Sequence, residues 1–115
     1  MKLRNFELAA QLAKHSNYKQ QLGAVIVKGA RVLSKGFNTM RTSPRSPHPF
    51  KSLHAEVIAI LNAPCDLIGC DIYVYRETKD GCLASSKPCS YCMKLIKSVG
   101  IKNIFYTDKE GYKKI

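Results

Sequence analysis

Pro88-Cys89-Ser90-Tyr91-Cys92-Met93-Lys94-Leu95-Ile96-Lys97-Ser98-Val99-Gly100 is the stretch from which the fold is read. It predicts a helix from about Cys89 to Val99, stopped by Gly100 at the position after a helix end that favours glycine. Apolar, β-branched runs flank it. Cys70-Asp71-Ile72-Tyr73-Val74-Tyr75 reads as a strand before it and Lys102-Asn103-Ile104-Phe105-Tyr106-Thr107 as a strand after it. Residues Arg76 to Lys87, with Asp80-Gly81, read as a polar loop. Working outward, His54 to Leu61 predicts a second helix, apolar on nearly all sides and so buried, ending before Pro64. Asn38 to Leu53 carries Pro44, Pro47 and Pro49, too dense for a helix, and reads as an irregular loop. Leu22-Gly23-Ala24-Val25-Ile26-Val27 and Arg31 to Phe37 predict a β-hairpin turning around Lys28 to Ala30. Leu3, Phe6, Ala10 and Ala13 repeat at helical spacing and predict a first helix ending near His15 to Asn17. Thr107-Asp108-Lys109-Glu110-Gly111 reads as a tight turn, after which Gly111 to Ile115 would return as a short antiparallel strand.

The order α-β-β-α-β-α-β, with a terminal strand, places the chain in the α/β class. The expectation is a single domain over residues 1–115: a three-layer arrangement in which a mixed sheet of four to five strands is covered by helices. Such a length suits one domain with a real core. No apolar stretch approaches the ~20 residues that cross a bilayer. The start, Met1 to Glu7, has no apolar segment of a secretory signal. Five cysteines, an odd number, argue for a reducing compartment, so the expected location is the cytoplasm and no membrane partner is expected. Nineteen Lys plus Arg against eight Asp plus Glu give a net charge of +11. That balance favours a polyanionic partner, a nucleotide phosphate or a nucleic-acid backbone, over a merely solvated basic surface.

Two short motifs carry chemistry: His54-Ala55-Glu56 and Pro88-Cys89-Ser90-Tyr91-Cys92. Both fall at the starts of predicted helices that follow loops, and a helix N-terminus favours a thiolate. Cys89 and Cys92 are three residues apart on one helix face and can bind one ion. Two thiolates and one imidazole suit Zn²⁺ and leave a fourth tetrahedral position open. Glu56, two residues from the imidazole, is placed to move protons beside that position. A structural zinc site would need a fourth protein ligand; Cys65, Cys70, Cys82 and His48 are the candidates, and none has paired spacing with the motifs. A C-x-x-C redox pair is the other reading, but the preceding proline and the upstream His-x-Glu do not belong to it. Cys65 and Cys70 read as small core residues, His15 as the solvated end of a helix and His48 as a loop residue. Arg41, Arg45 and Lys51, in the loop leading into the first motif, could bind phosphate or simply be solvated.

With these residues the chain resembles the cytidine deaminase superfamily, in its branch with H-A-E and P-C-x-x-C, described by the signature H-x-E…P-C-x-x-C. The resemblance runs from Leu22 to Thr107. It implies a cytidine deaminase-like fold, one Zn²⁺ per chain on His54, Cys89 and Cys92, and Glu56 as the proton shuttle. It also implies that Asn38 hydrogen-bonds the substrate's sugar and that the Ala55 backbone N–H contacts the base. Tyr106 and Asp108 stand where relatives contact the base or its 5′ neighbour. The expected partner is a cytosine nucleotide or single-stranded nucleic acid, with self-association of the chain left open.

The implied activity is hydrolytic deamination of cytosine to uracil, with ammonia released, in a free nucleotide or nucleoside such as deoxycytidylate. Deamination of cytosine or adenosine within single-stranded DNA or RNA is the alternative, and a zinc-containing binding module without catalysis the third. The charge favours the polymer, the small size favours the free nucleotide, and the intact Glu56 speaks against the third.

Overall fold

The computed structural model describes residues 3–15, 21–29, 31–37, 55–64, 66–78, 82–88 and 90–115. The elements are α1 (Leu3–Ala13), β1 (Gln21–Lys28), β2 (Arg31–Phe37), α2 (Ala55–Leu61), β3 (Asp71–Glu77), α3 (Ser90–Ser98), β4 (Asn103–Asp108) and β5 (Gly111–Lys114). The five strands form one sheet in the order β2-β1-β3-β4-β5. β1 is antiparallel to both β2 and β3, β3 and β4 are parallel, and β5 returns antiparallel to β4.

Alternation along the strands sorts the core into two layers. Ala24, Ile26, Ile72, Val74 and Ile104 face α2 and α3 and pack with Ala55, Ala59 and Ile96. Val25, Val27, Tyr73, Tyr75 and Phe105 face the other way and pack with Phe6, Ala9 and Ala13 of α1. Aromatic rings finish this second layer: Phe6 lies edge-on to Tyr73 and stacks on Tyr112, and Tyr73 stacks on Phe105. The result is the expected helix–sheet–helix arrangement, with all five strands formed.

Two glycines set how closely the helices approach. A Cβ on Gly23 would lie 2.0 Å from the Ala9 carbonyl oxygen, so α1 rests directly on the β1 backbone. A Cβ on Gly36 would lie 2.6 Å from the Ala59 nitrogen and 2.7 Å from the Ala55 oxygen, so α2 rests on β2 in the same way. Helix α2 has only seven residues, far below the roughly 12–15 at which an isolated helix becomes even marginally stable. Its contacts with β2 therefore hold it: Ser34 Oγ donates to the Ala59 carbonyl, and Asn62 Nδ2 donates to the Lys35 carbonyl at 3.4 Å.

The element boundaries refine the expectations. α1 ends at Ala13, short of the expected His15 to Asn17, and His15 is exposed. β2 matches its expected bounds. Gly100 ends α3 with φ 87°, as its residue type foretold. The main departure lies between Arg76 and Lys87. β3 continues through Arg76 and Glu77, and the chain then doubles back, with Leu83 bridged to Glu77 in antiparallel fashion. No helix among the described residues is long and apolar enough to cross a membrane. Cys70 is buried in the core, as expected of a small apolar residue, whereas Cys82 is exposed; Cys65 lies outside the described residues.

Candidate active site

β2 runs antiparallel to β1, and β1 runs antiparallel to β3, so β2, β3 and β4 all point the same way. Their C-terminal ends share one edge of the sheet, the edge where open α/β sheets build their sites. α2 follows β2 and begins there, its first residue lying against Gly36 near the end of β2. α3 lies between β3 and β4 in the chain and begins at the same edge.

Glu56 stands in the first turn of α2 and is 4% exposed. Cys92 stands in the first turn of α3 and is fully buried. The two meet: the Cys92 side chain hydrogen-bonds the Glu56 carboxylate. Burial pushes the Glu56 carboxyl above its ordinary value, against the smaller opposing pull of its own backbone N–H and of Cys92. A buried carboxyl whose hold on a proton is strengthened in this way suits a general acid–base.

Of the six residues singled out from sequence, Ala55, Glu56 and Cys92 are described, and the fold brings them together where α2 and α3 begin. Ala55 is buried as the first residue of α2. His54, Cys89 and Asn38 lie outside the described residues, as do His48, Arg41, Arg45 and Lys51. Ala55 and Ser90, the first residues of α2 and α3, follow His54 and Cys89 directly in the chain. Among the described residues, a buried cysteine in the first turn of a helix beside a buried carboxyl is donor chemistry that suits a thiophilic divalent cation. Tyr106 is half-buried, and Asp108 lies 3.8 Å from Lys113 Nζ at the turn into β5.

Two residues that the sequence did not single out complete the setting. Ser86 is 2% exposed and Thr107 fully buried, and they hydrogen-bond each other between β4 and the segment that leads to Pro88. A serine in a polar run and a threonine ending a strand carry no distinguishing sign in sequence; only their burial reveals them.

Residues 2–108 match the model of the cytidine and deoxycytidylate deaminase zinc-binding region. An uncharacterized deaminase in the luxG 3′ region of Aliivibrio fischeri is 38% identical over 93 residues, covering 74% of this chain and 56% of that protein. The deoxycytidylate deaminase of Saccharomyces cerevisiae is 31% identical over 129 aligned positions, covering 93% of this chain and 39% of that protein. This chain thus spans about half the length, or less, of these two relatives. The crystal structure of the dCMP deaminase from the cyanophage S-TIM5 in complex with dCMP and dUMP superposes with a TM-score of 0.67 at 24% identity, covering 90% of this chain and 81% of that one, a likeness of fold. Motif, fold and a match running over nearly the whole length agree, and the chain belongs to the cytidine and deoxycytidylate deaminase family.

Proposed function

We propose that this protein is a zinc-dependent hydrolytic deaminase that converts the cytosine of a free nucleotide, of the deoxycytidylate class, to uracil. The observation that carries the reading is the buried Glu56 carboxyl of α2 meeting Cys92 of α3 at the C-terminal edge of the sheet. A structural metal site has no use for such a group. His54, Cys89 and Cys92 would hold the zinc, which supplies Lewis-acid activation of water when bound.

The chain's own residues supply the rest. Glu56 accepts a proton from the attacking water and passes it to the ring nitrogen beside C4 of the cytosine. It then delivers the water's second proton to the departing amine, so that water and cytosine yield uracil and ammonia. Burial serves both transfers: it raises the carboxyl's affinity for the proton it must hold between them. The Ala55 backbone N–H is assigned to the base and Asn38 to the sugar. The nucleotide substrate is supported by the family match and by the deoxycytidylate deaminases among the relatives.

One observation favours a second reading. A net charge of +11 exceeds what a single phosphate requires and suits single-stranded DNA or RNA as the carrier of the cytosine. A single assay separates the readings. Zinc-loaded protein is incubated with dCMP, cytidine, single-stranded DNA and tRNA, and uracil and inosine products are measured by mass spectrometry. Uracil from dCMP alone supports the proposal. Uracil only in the polymer moves the assignment to nucleic acid, and no product from any of the four removes the activity.

A further inference from the structure

Strands β3 and β4 pair in parallel from Asp71 opposite Asn103 to Val74 opposite Tyr106. Beyond that point the segment 82–88 enters between their ends. The Thr78 N–H donates to the Cys82 carbonyl at 2.8 Å, the Ala84 N–H to the Arg76 carbonyl at 3.1 Å, and the Ser86 N–H to the Thr107 carbonyl at 2.8 Å. The segment is thus tied to β3 at one end and to β4 at the other. It leads into buried Pro88 and, two residues later, into α3.

Two buried hydroxyls close this junction. The Thr107 N–H donates to Ser86 Oγ at 2.7 Å, and Ser86 Oγ donates to the Val74 carbonyl at 2.8 Å. The Arg76 N–H donates to Thr107 Oγ1 at 3.2 Å, and Thr107 Oγ1 donates to the Ala84 carbonyl at 2.9 Å. Each hydroxyl therefore joins an N–H of one segment to a C=O of another, and the two oxygens lie 3.0 Å apart. One proton and two lone pairs on each oxygen satisfy this set. The Arg76 guanidinium adds a tie from outside, donating to the Ser85 carbonyl at 3.1 Å. Loss of either hydroxyl takes a hydrogen-bond partner from two backbone groups at this junction, a cost that the local structure escapes only by shifting.

We infer that Ser86 and Thr107 are positioning residues: their paired hydroxyls hold the ends of β3 and β4 apart and fix the segment that leads into α3, which sets Cys92 opposite Glu56. The inference rests on the zinc site of the proposed function. Polar groups behind a metal's ligands orient them, and their loss typically weakens binding roughly 10–100-fold. No substrate contact is assigned to either residue.

The test uses the full chain with Zn²⁺ or Co²⁺ as the probe. Zinc affinity is measured by competition with a chromophoric chelator, and ligand geometry by the thiolate-to-cobalt and d–d absorption bands. Ser86→Ala and Thr107→Val are expected to keep the circular dichroism of the parent, bind zinc about tenfold or more weakly, and shift the cobalt bands. Thr107→Ser restores both. Asn103→Ala removes the hydrogen bond to Asp71 at the opposite end of the same strand pair; it is expected to lower the melting temperature without changing affinity or spectrum. If Ser86→Ala and Thr107→Val lower only the melting temperature, as Asn103→Ala does, the inference is overturned. Should Thr107→Val not fold, Ser86→Ala decides by the same readouts. A parent chain that binds no zinc overturns the proposed function itself, and this inference with it.

Discussion

At the residue scale, Glu56 and Tyr75 show how one physical cause, burial, has different consequences in different settings. Glu56 sits at the candidate site, beside a cysteine, and the work proposed for it is proton transfer. Replacing Glu56 by Ala is expected to leave bound zinc unchanged and to reduce turnover by about 10²–10⁴-fold or more, the usual worth of a general acid–base. Metal content by atomic spectroscopy and uracil formation check the two halves separately; an active Glu56→Ala protein ends the assignment. Tyr75 lies on the α1 side of the sheet, away from α2 and α3, and its hydroxyl donates to Glu77 Oε2 at 3.2 Å. Burial first, then the Glu77 charge, raises its pKa from 10.0 to about 12. Between those values the unfolded chain has lost a proton that the folded chain keeps. The stability from Tyr75 is therefore full below pH 10 and is lost as the pH rises toward 12. Tyr75→Phe is expected to flatten the alkaline fall in denaturation midpoint across that window, with no effect at pH 7 beyond the loss of one hydrogen bond. A parallel fall in both proteins would show that Tyr75 ionises no differently in the two states.

At the scale of elements, two glycines make a matched pair of probes. Gly23 lets α1 lie on β1, on the face away from the site; Gly36 lets α2, which carries Glu56, lie on β2. In both cases the two nearest atoms that an added methyl would meet are backbone, which cannot swing aside as a flexible side chain can. Each Gly→Ala change is therefore expected to cost about 1–3 kcal/mol, as overpacking does, measured by chemical denaturation. The two should part in activity. Gly36→Ala lifts the start of α2 and should lower kcat per folded molecule, whereas Gly23→Ala should leave kcat near the parent value. Equal loss of kcat in both would mean that activity tracks global stability and not the seating of α2. The short length of α2 makes the same point: it is held by Ser34, Gly36 and its buried alanines more than by its own propensity.

At the scale of the whole molecule, charge and metal are the properties to measure. The purified protein is expected to carry about one zinc per chain, and a strong chelator should lower its melting temperature, because a ligand bound only by the folded state stabilises it by mass action. A second equivalent surviving Cys89→Ser would point to further cysteine ligands. With a free nucleotide as substrate, only one or two phosphate contacts form, so log KM should change little with log salt despite the net charge of +11. A steep dependence would favour the polymer reading, since each phosphate neutralised releases counterions. Arg41→Ala with Arg45→Ala should raise KM more than it lowers kcat, because a phosphate contact acts alike in ground and transition states. Unchanged kinetics would remove those residues from the binding site.

The sequence by itself determined the parts governed by local periodicity and residue chemistry. Alternation and β-branching announced the four longer strands, and Gly100 announced the end of α3. The Thr107 to Gly111 turn announced that β5 returns antiparallel. His54, Glu56, Cys89 and Cys92 carried the resemblance to the family whose model matches residues 2–108. Tertiary structure alone decided the rest. The strand order β2-β1-β3-β4-β5, and with it the shared edge where α2 and α3 begin, depends on pairing between residues distant in the chain. That Cys92 meets Glu56 depends on how α2 and α3 are seated on the sheet, and for α2 that seating is set by Gly36 of β2. In sequence the segment that doubles back after Glu77 has the composition of a plain polar loop. Its serines and charges look solvated until the hydrogen bonds at Arg76, Ser86 and Thr107 bury part of it. Hydrogen bonds across 21 to 31 residues leave no periodicity to read, and it is these that hold the approach to α3 in place.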